Sequence, residues 1–167
     1  MELQIANALR MVSESFPFVI EETVQPQLYG ERTVSFAEPL RVEGTYVFDG
    51  KAITVTATVT TVLNSVCARC AEPFREPFSF GMEERFVRDA ILTEDDDEEI
   101  YPYESDRLLL DKAVMDNLYL QLPSVSVCRE DCKGLCPVCG IDRNKGICTC
   151  EQGEPEGPFA VLSKIKF

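Results

Sequence analysis

Hydrophobic and polar residues alternate over residues 40–48, with Leu40, Val42, Gly44, Tyr46 and Phe48 sharing one parity. Past Asp49-Gly50 the alternation resumes. Ile53, Val55, Ala57 and Val59 take one face, and Thr54, Thr56, Thr58 and Thr60 take the other. Period two with β-branched residues specifies half-buried strands. Asp-Gly between them predicts a type I′ hairpin turn, in which both central residues need positive φ. A third strand is expected over residues 73–87, where Phe74, Phe78, Phe80, Met82 and Phe86 share a parity. The three make an antiparallel β-meander or a partly open barrel. The first 38 residues are expected to add one or two strands.

The period then changes. Residues 93–106 carry eight acids and no base, centred on Glu94 to Glu99, and read as a self-repelling solvated loop. From Asp111 the apolar positions recur every four residues, at Val114, Leu118 and Leu122. That spacing predicts a helix with Asp111 as its N-cap, stopped by Pro123. Residues 124–152 follow neither period. Six cysteines fall between Cys128 and Cys150, with three glycines and few large apolar groups. Such a segment cannot build a hydrophobic core, so something else must order it. The expected organisation is a β-rich domain over 1–92, the acidic loop over 93–106, and a strand and helix over 107–123 packing on the β domain. A cysteine-rich segment with an apolar tail covers 124–167.

Composition narrows the chemistry. The 167 residues are 45% hydrophobic, enough for a folded core. No apolar run approaches the ~20 residues of a membrane span. Met1 to Arg10 lack a basic stretch followed by an apolar block, so no signal peptide is expected, and the cytoplasm is the expected location. Histidine is absent, which excludes Ser-His, Cys-His and His-metal sites within the chain. The net charge is −13, most of it from residues 93–106. That is not the basic footprint of an autonomous nucleic-acid binder, and no DNA or membrane partner is expected.

Eight cysteines in a reducing compartment point to thiolate metal ligation rather than disulfides. Cys136-Pro-Val-Cys139-Gly140 can fold into a knuckle that aims two sulfurs at one cation, with the glycine supplying positive φ. Cys148-Thr-Cys150 follows eight residues on, and the four could form a closed site for zinc. Iron in a rubredoxin-like site is the alternative, though a Cys-x-Cys pair fits it poorly. Cys67, Cys70, Cys128 and Cys132 could form a second site, stapling the meander to the C-terminal segment. Three other readings stay open: Cys67 and Cys70 as unmetallated buried thiols, a single site that draws on Cys128 or Cys132, and a redox Cys-x-x-Cys at 67–70.

In combination these motifs resemble the YceD family, also called the large ribosomal RNA subunit accumulation protein family. The resemblance rests on Cys67-x-Arg-Cys70-x-x-Pro73-Phe74, the helix ending Leu122-Pro123, and Cys128-x₃-Cys132-x-Gly134-Leu135-Cys136-Pro-x-Cys139-Gly140. Cys148-x-Cys150 and Pro158-Phe-Ala-Val-Leu162 complete it. It implies a non-catalytic factor in ribosome biogenesis that promotes accumulation of large-subunit ribosomal RNA. The expected fold class is α+β, mainly β, with one helix and a C-terminal zinc-knuckle segment. Since the chain is acidic, the expected partners are ribosome assembly proteins or ribosomal proteins, with ribosomal RNA contacted indirectly or weakly. Arg129, Lys133, Arg143, Lys145, Lys164 and Lys166 are the small basic elements available for an RNA contact. A zinc-ribbon adaptor for another machine, such as transcription, is the competing function, and a thiol redox protein is a third.

Overall fold

The computed structural model describes residues 1–30, 32–88 and 100–150. The chain forms two compact units: residues 1–65 with 74–126, and residues 66–73 with the segment from Val127 on. The first unit is built on an open five-stranded sheet. In chain order its strands are β1 (Glu2–Gln4), β2 (Ser15–Glu22), β3 (Gln27–Tyr29), β4 (Arg32–Val34), β5 (Leu40–Phe48), β6 (Ala52–Val66), β7 (Pro73–Arg88), β8 (Ile100–Tyr103) and β9 (Arg107–Leu109). The helix α1 (Asp111–Gln121) follows. The large sheet runs β2-β5-β6-β7-β8, and β1-β9 and β3-β4 form two-stranded sheets. The fold is α+β and mainly β.

The alternating residues define the register. β5 and β6 pair antiparallel with Val42 opposite Val59, Tyr46 opposite Val55, and Phe48 opposite Ile53. Leu40, Val42, Tyr46, Ile53, Val55, Ala57 and Val59 are buried, while Thr56, Thr58 and Thr60 face solvent. β7 continues the core with Phe80, Met82 and Phe86, and leaves Phe74 and Phe78 half-buried. Against this layer pack Leu3 and Ile5 from the first strand region, Leu108 and Leu110 around β9, and Ala113, Val114 and Leu118 of the helix. Tyr29 stacks on Tyr119, ring centroids 4.6 Å apart, and joins the β3-β4 hairpin to the helix.

Four details differ from the sequence expectations. The β5-β6 hairpin exists, but its loop is the three residues Asp49 to Lys51, and only Gly50 of them has positive φ, at 99°. The Asp49 carboxylate explains the change. It accepts from the Lys51 and Ala52 amides at 2.7 Å each, an Asx-type closure that a two-residue type I′ turn does not need. The helix is capped by Leu110, whose carbonyl accepts from the Val114 amide at 2.9 Å, so Asp111 is the first helical residue rather than the N-cap. The first 38 residues hold four strands rather than one or two. Within the stretch expected as an acidic loop, Ile100–Tyr103 pairs parallel with β7 at the sheet edge, and Tyr101 and Tyr103 are buried. The acidic centre at residues 94–99 lies outside the described residues.

At Gly44 the backbone of β6 leaves no room for a side chain. A Cβ there would lie 2.2 Å from the Thr56 carbonyl oxygen and 2.6 Å from the Ala57 Cα. Both obstacles are backbone, so the strand must move. Gly44→Ala should therefore lower stability by at least about 1–3 kcal/mol, the usual range for overpacking. The urea midpoint should fall with the slope unchanged, whereas an unaltered midpoint would show that β5 and β6 can separate freely here.

Candidate metal centres

The described residues of the second unit are nearly free of regular structure. Apart from the end residues of β6 and β7, its described residues hold only a bridge between Leu135 and Asp142. Among its described residues, several apolar side chains face outward: Val66 is 62% exposed, Val138 64% and Ile147 94%. The buried side chains among its described residues are Cys67, Cys70, Cys132 and Cys136. Among the described residues, the interior of this unit is therefore made of sulfur.

The eight cysteines separate into two groups of four. Cys67, Cys70, Cys128 and Cys132 form the first, and Cys136, Cys139, Cys148 and Cys150 the second, with the sulfurs of each group within 4.8 Å of one another. In the first group a tight turn sets the Cys67-x-x-Cys70 pair. The Ala71 amide donates to the Cys67 carbonyl at 2.9 Å, Ala71 takes a φ of 59°, and the Cys67 amide donates to the Glu72 carbonyl. Cys67 and Cys132 sulfurs stand 3.8 Å apart, as do those of Cys70 and Cys128. In the second group the Gly140 amide donates to the Cys136 carbonyl at 2.9 Å, with Gly140 at a φ of 74°. Cys148 Sγ lies 3.3 Å from Cys136 Sγ and 3.5 Å from Cys139 Sγ.

These separations decide the chemistry. All eight cysteines are free, and 3.3–3.8 Å is far beyond the ~2.0 Å of a disulfide. Four sulfurs about 2.3 Å from a central cation sit roughly 3.8 Å apart at the corners of a tetrahedron. Each group thus has the spacing of a closed four-thiolate shell and could hold a metal ion. Cys128 and Cys132 lie with Cys67 and Cys70, apart from the second group.

Electrostatics point the same way. Backbone amides, that of Cys128 foremost, pull the Cys67 thiol down to about 6. Amides of Cys139 and Val138 do the same for Cys136, also to about 6. Within the same groups Cys128 is pushed up to about 12, first by burial and then by its neighbouring thiols. Cys150 is likewise pushed up to about 12 by contact with Cys148 and Cys139. In the first group Cys67 is among the thiols that raise Cys128, and in the second Cys136 is among those that raise Cys148. A cation between the sulfurs removes that opposition.

Polar groups tie the cysteine turns together. Arg69 donates from its guanidinium to the Glu130 and Cys132 carbonyls at 2.8 and 3.1 Å. Its own carbonyl accepts from the Leu135 amide, and a Cβ on Gly134 would meet that oxygen at 2.8 Å. Lys145 pairs with Glu72 and lies 3.8 Å from Asp142. The Asn144 side chain contacts Cys132, Lys133, Arg129 and Asp142. Arg69 and Gly134 entered the sequence reading only as letters of the family motif, and Asn144 not at all, because loop residues carry no periodic signal. Of the bases considered for RNA, Arg129 and Lys145 are engaged inside this unit, while Lys164 and Lys166 lie outside the described residues. Among the described residues no helix is long and apolar enough to cross a membrane.

Comparison with known proteins places this geometry in context. The family described as "Large ribosomal RNA subunit accumulation protein YceD" matches residues 55–166. An uncharacterized protein of Mycobacterium tuberculosis is 35% identical over 104 residues, 61% of this chain and 48% of that protein. The chloroplastic large ribosomal RNA subunit accumulation protein YCED homolog 1 of Arabidopsis thaliana is 24% identical over 156 residues, 77% of this chain and 49% of the relative. Its counterpart from Zea mays is 29% identical over 138 residues, 65% of this chain and 46% of the relative. The chain spans about half the length of these curated relatives. No solved structure matches.

Metal held by these thiols should be pH-dependent in a definite direction. Cys128 and Cys150 keep their protons at neutral pH, so a metal ion entering either group must displace protons. Acid favours the protonated, metal-free form. Bound metal should be retained near pH 8 and lost progressively on acidification, as protons compete for the same sulfurs. Metal analysis after gel filtration at stepped pH checks this, and retention that does not change on acidification would contradict it.

Proposed function

This chain belongs to the YceD family, and from that premise we propose that it is a non-catalytic zinc-binding factor of large ribosomal subunit biogenesis. It promotes accumulation of large-subunit ribosomal RNA through a protein partner in the cytoplasm. Cys67, Cys70, Cys128 and Cys132 hold one zinc ion, and Cys136, Cys139, Cys148 and Cys150 hold the other. The observation that carries this reading is the convergence of all eight sulfurs into two tetrahedron-sized groups. Four thiolates close the coordination shell of zinc and leave no open position for substrate or water, which is the character of a structural site. Zinc is favoured over iron because Cys148-x-Cys150 departs from the paired Cys-x-x-Cys knuckles of rubredoxin-like iron sites.

The choice of a protein partner rests on charge. Each zinc with four thiolates carries a net charge of −2, so filling both sites makes a chain of net charge −13 more acidic still. Affinity for an RNA backbone comes from Lys and Arg contacts that release counterions. Here Lys145 is paired with Glu72 and Arg129 with Asp131 and Asn144. An acidic surface instead attracts basic proteins over a Debye length of ~10 Å, and ribosomal proteins and their assembly factors are of that kind.

The test is a pull-down from cells, followed by sedimentation and by RNA titration of the isolated protein. The chain should travel with large-subunit precursors and recover basic ribosomal or assembly proteins. Alone, it should bind large-subunit RNA fragments weakly near physiological salt. Tight RNA binding with a steep salt slope and no protein partner would overturn the indirect route. Recovery of a transcription complex without ribosomal components would overturn the ribosomal assignment.

A further inference from the structure

Asn144 stands in the loop of residues 140–147, whose two flanking residues, Cys139 and Cys148, both belong to the second sulfur group. Its side chain nevertheless serves the first group. The Nδ2 amide donates to Cys132 Sγ at 3.5 Å and to Asp142 Oδ1 at 2.7 Å. The Oδ1 oxygen accepts from the Lys133 amide and from the Arg129 guanidinium, each at 2.9 Å. Both ends of one half-buried amide are thus engaged, and three of the four contacts fall on Cys132 or on residues that flank its turn. The backbone continues the connection. The Arg143 amide donates to the Gly134 carbonyl at 3.0 Å, and the Cys136 amide to the Ile141 carbonyl at 2.8 Å.

We propose that Asn144 is a positioning residue that couples the two centres, so that metal in either group raises the affinity of the other. This rests on the reading of both groups as metal centres. When the second group is filled, both ends of the 140–147 loop are pinned, and Asn144 is held with its donor on the Cys132 sulfur. When it is empty, the loop loses that closure, and ordering Asn144 against Cys132 must work against a larger conformational entropy. A hydrogen-bond donor beside a ligand orients it and favours its ionised form, and such outer partners change metal affinity by about 10–100-fold. Coupling between binding sites is reciprocal, so filling the first group holds Asn144 and favours the second by the same factor. The segment from Cys132 to Cys136 gives one ligand to each group and carries part of the coupling independently of Asn144.

Cobalt(II) titration of the full-length chain under reducing conditions tests this, read by thiolate-to-cobalt charge-transfer absorption. Cys139→Ser/Cys148→Ser isolates the first group, and Cys67→Ser/Cys70→Ser isolates the second. The two-ion constant of the wild-type chain should exceed the product of the two single-site constants by about 5–150-fold. In the Asn144→Ala background the same ratio should fall severalfold. Asn144→Asp, which places an acceptor where the donor stood, should behave like Asn144→Ala. Circular dichroism of the sheet reports in every variant that the chain is folded. A ratio of one in the Asn144 protein, or an undiminished ratio in Asn144→Ala, would overturn the coupling. Absence of a charge-transfer band from every protein would instead remove the metal reading itself, and the coupling with it.

Discussion

Four sulfurs per group, held within 4.8 Å of one another, are the constraint on which the second unit depends. Among its described residues the buried side chains are cysteines, while Val66, Val138 and Ile147 point outward, so buried hydrocarbon contributes little to ordering that part of the chain. Thiols alone are poor substitutes. They hydrogen-bond weakly, and beyond the effect of burial, neighbouring thiols raise Cys128 further. A shared cation would turn that repulsion into attraction and join chain segments that are about 60 residues apart in sequence, Cys67-Cys70 and Cys128-Cys132. The amide and guanidinium contacts of Arg69 and Asn144 then set the angle at which each turn offers its sulfur.

The first unit is ordered by different means. Its core is a continuous layer from Leu40 and Val42 through Val55 and Val59 to Phe80 and Phe86, covered by Val114 and Leu118 of the helix. Burial of that many aliphatic and aromatic side chains suffices for a domain of this size. The two units therefore answer to different variables. The sheet responds to packing, as the close approach at Gly44 makes plain, whereas the cysteine unit is built around two sulfur groups that could hold a metal ion.

Much of this could be read from the sequence. The β5-β6 pair was legible because period two and β-branching agree over nearly twenty residues, and the helix because Val114 and Leu118 recur at the helical repeat. The membership of the two sulfur groups was legible as a possibility, since Cys-x-x-Cys spacing fixes which sulfurs can be near neighbours. What was not legible is instructive. β8 was hidden because its two buried tyrosines sit beside the acidic run and its partner strand is parallel, a pairing that leaves no hairpin signal. The turn at Asp49 was misread because an Asp-Gly pair admits an Asx closure as well as a type I′ turn. Asn144 was invisible, and Arg69 stood only as a motif letter, because their roles come from long-range contacts with Cys132 and Glu130, which no local pattern encodes.

The central claim is that two closed four-thiolate centres form the interior of the second unit. Zinc K-edge X-ray absorption on the chain purified under reducing conditions without chelator, combined with metal quantitation, tests it most directly. The account predicts two zinc ions per chain and a first shell of four sulfurs at about 2.3 Å, with no nitrogen or oxygen ligand. One ion per chain, a shell containing lighter atoms, or a chain free of metal would contradict it.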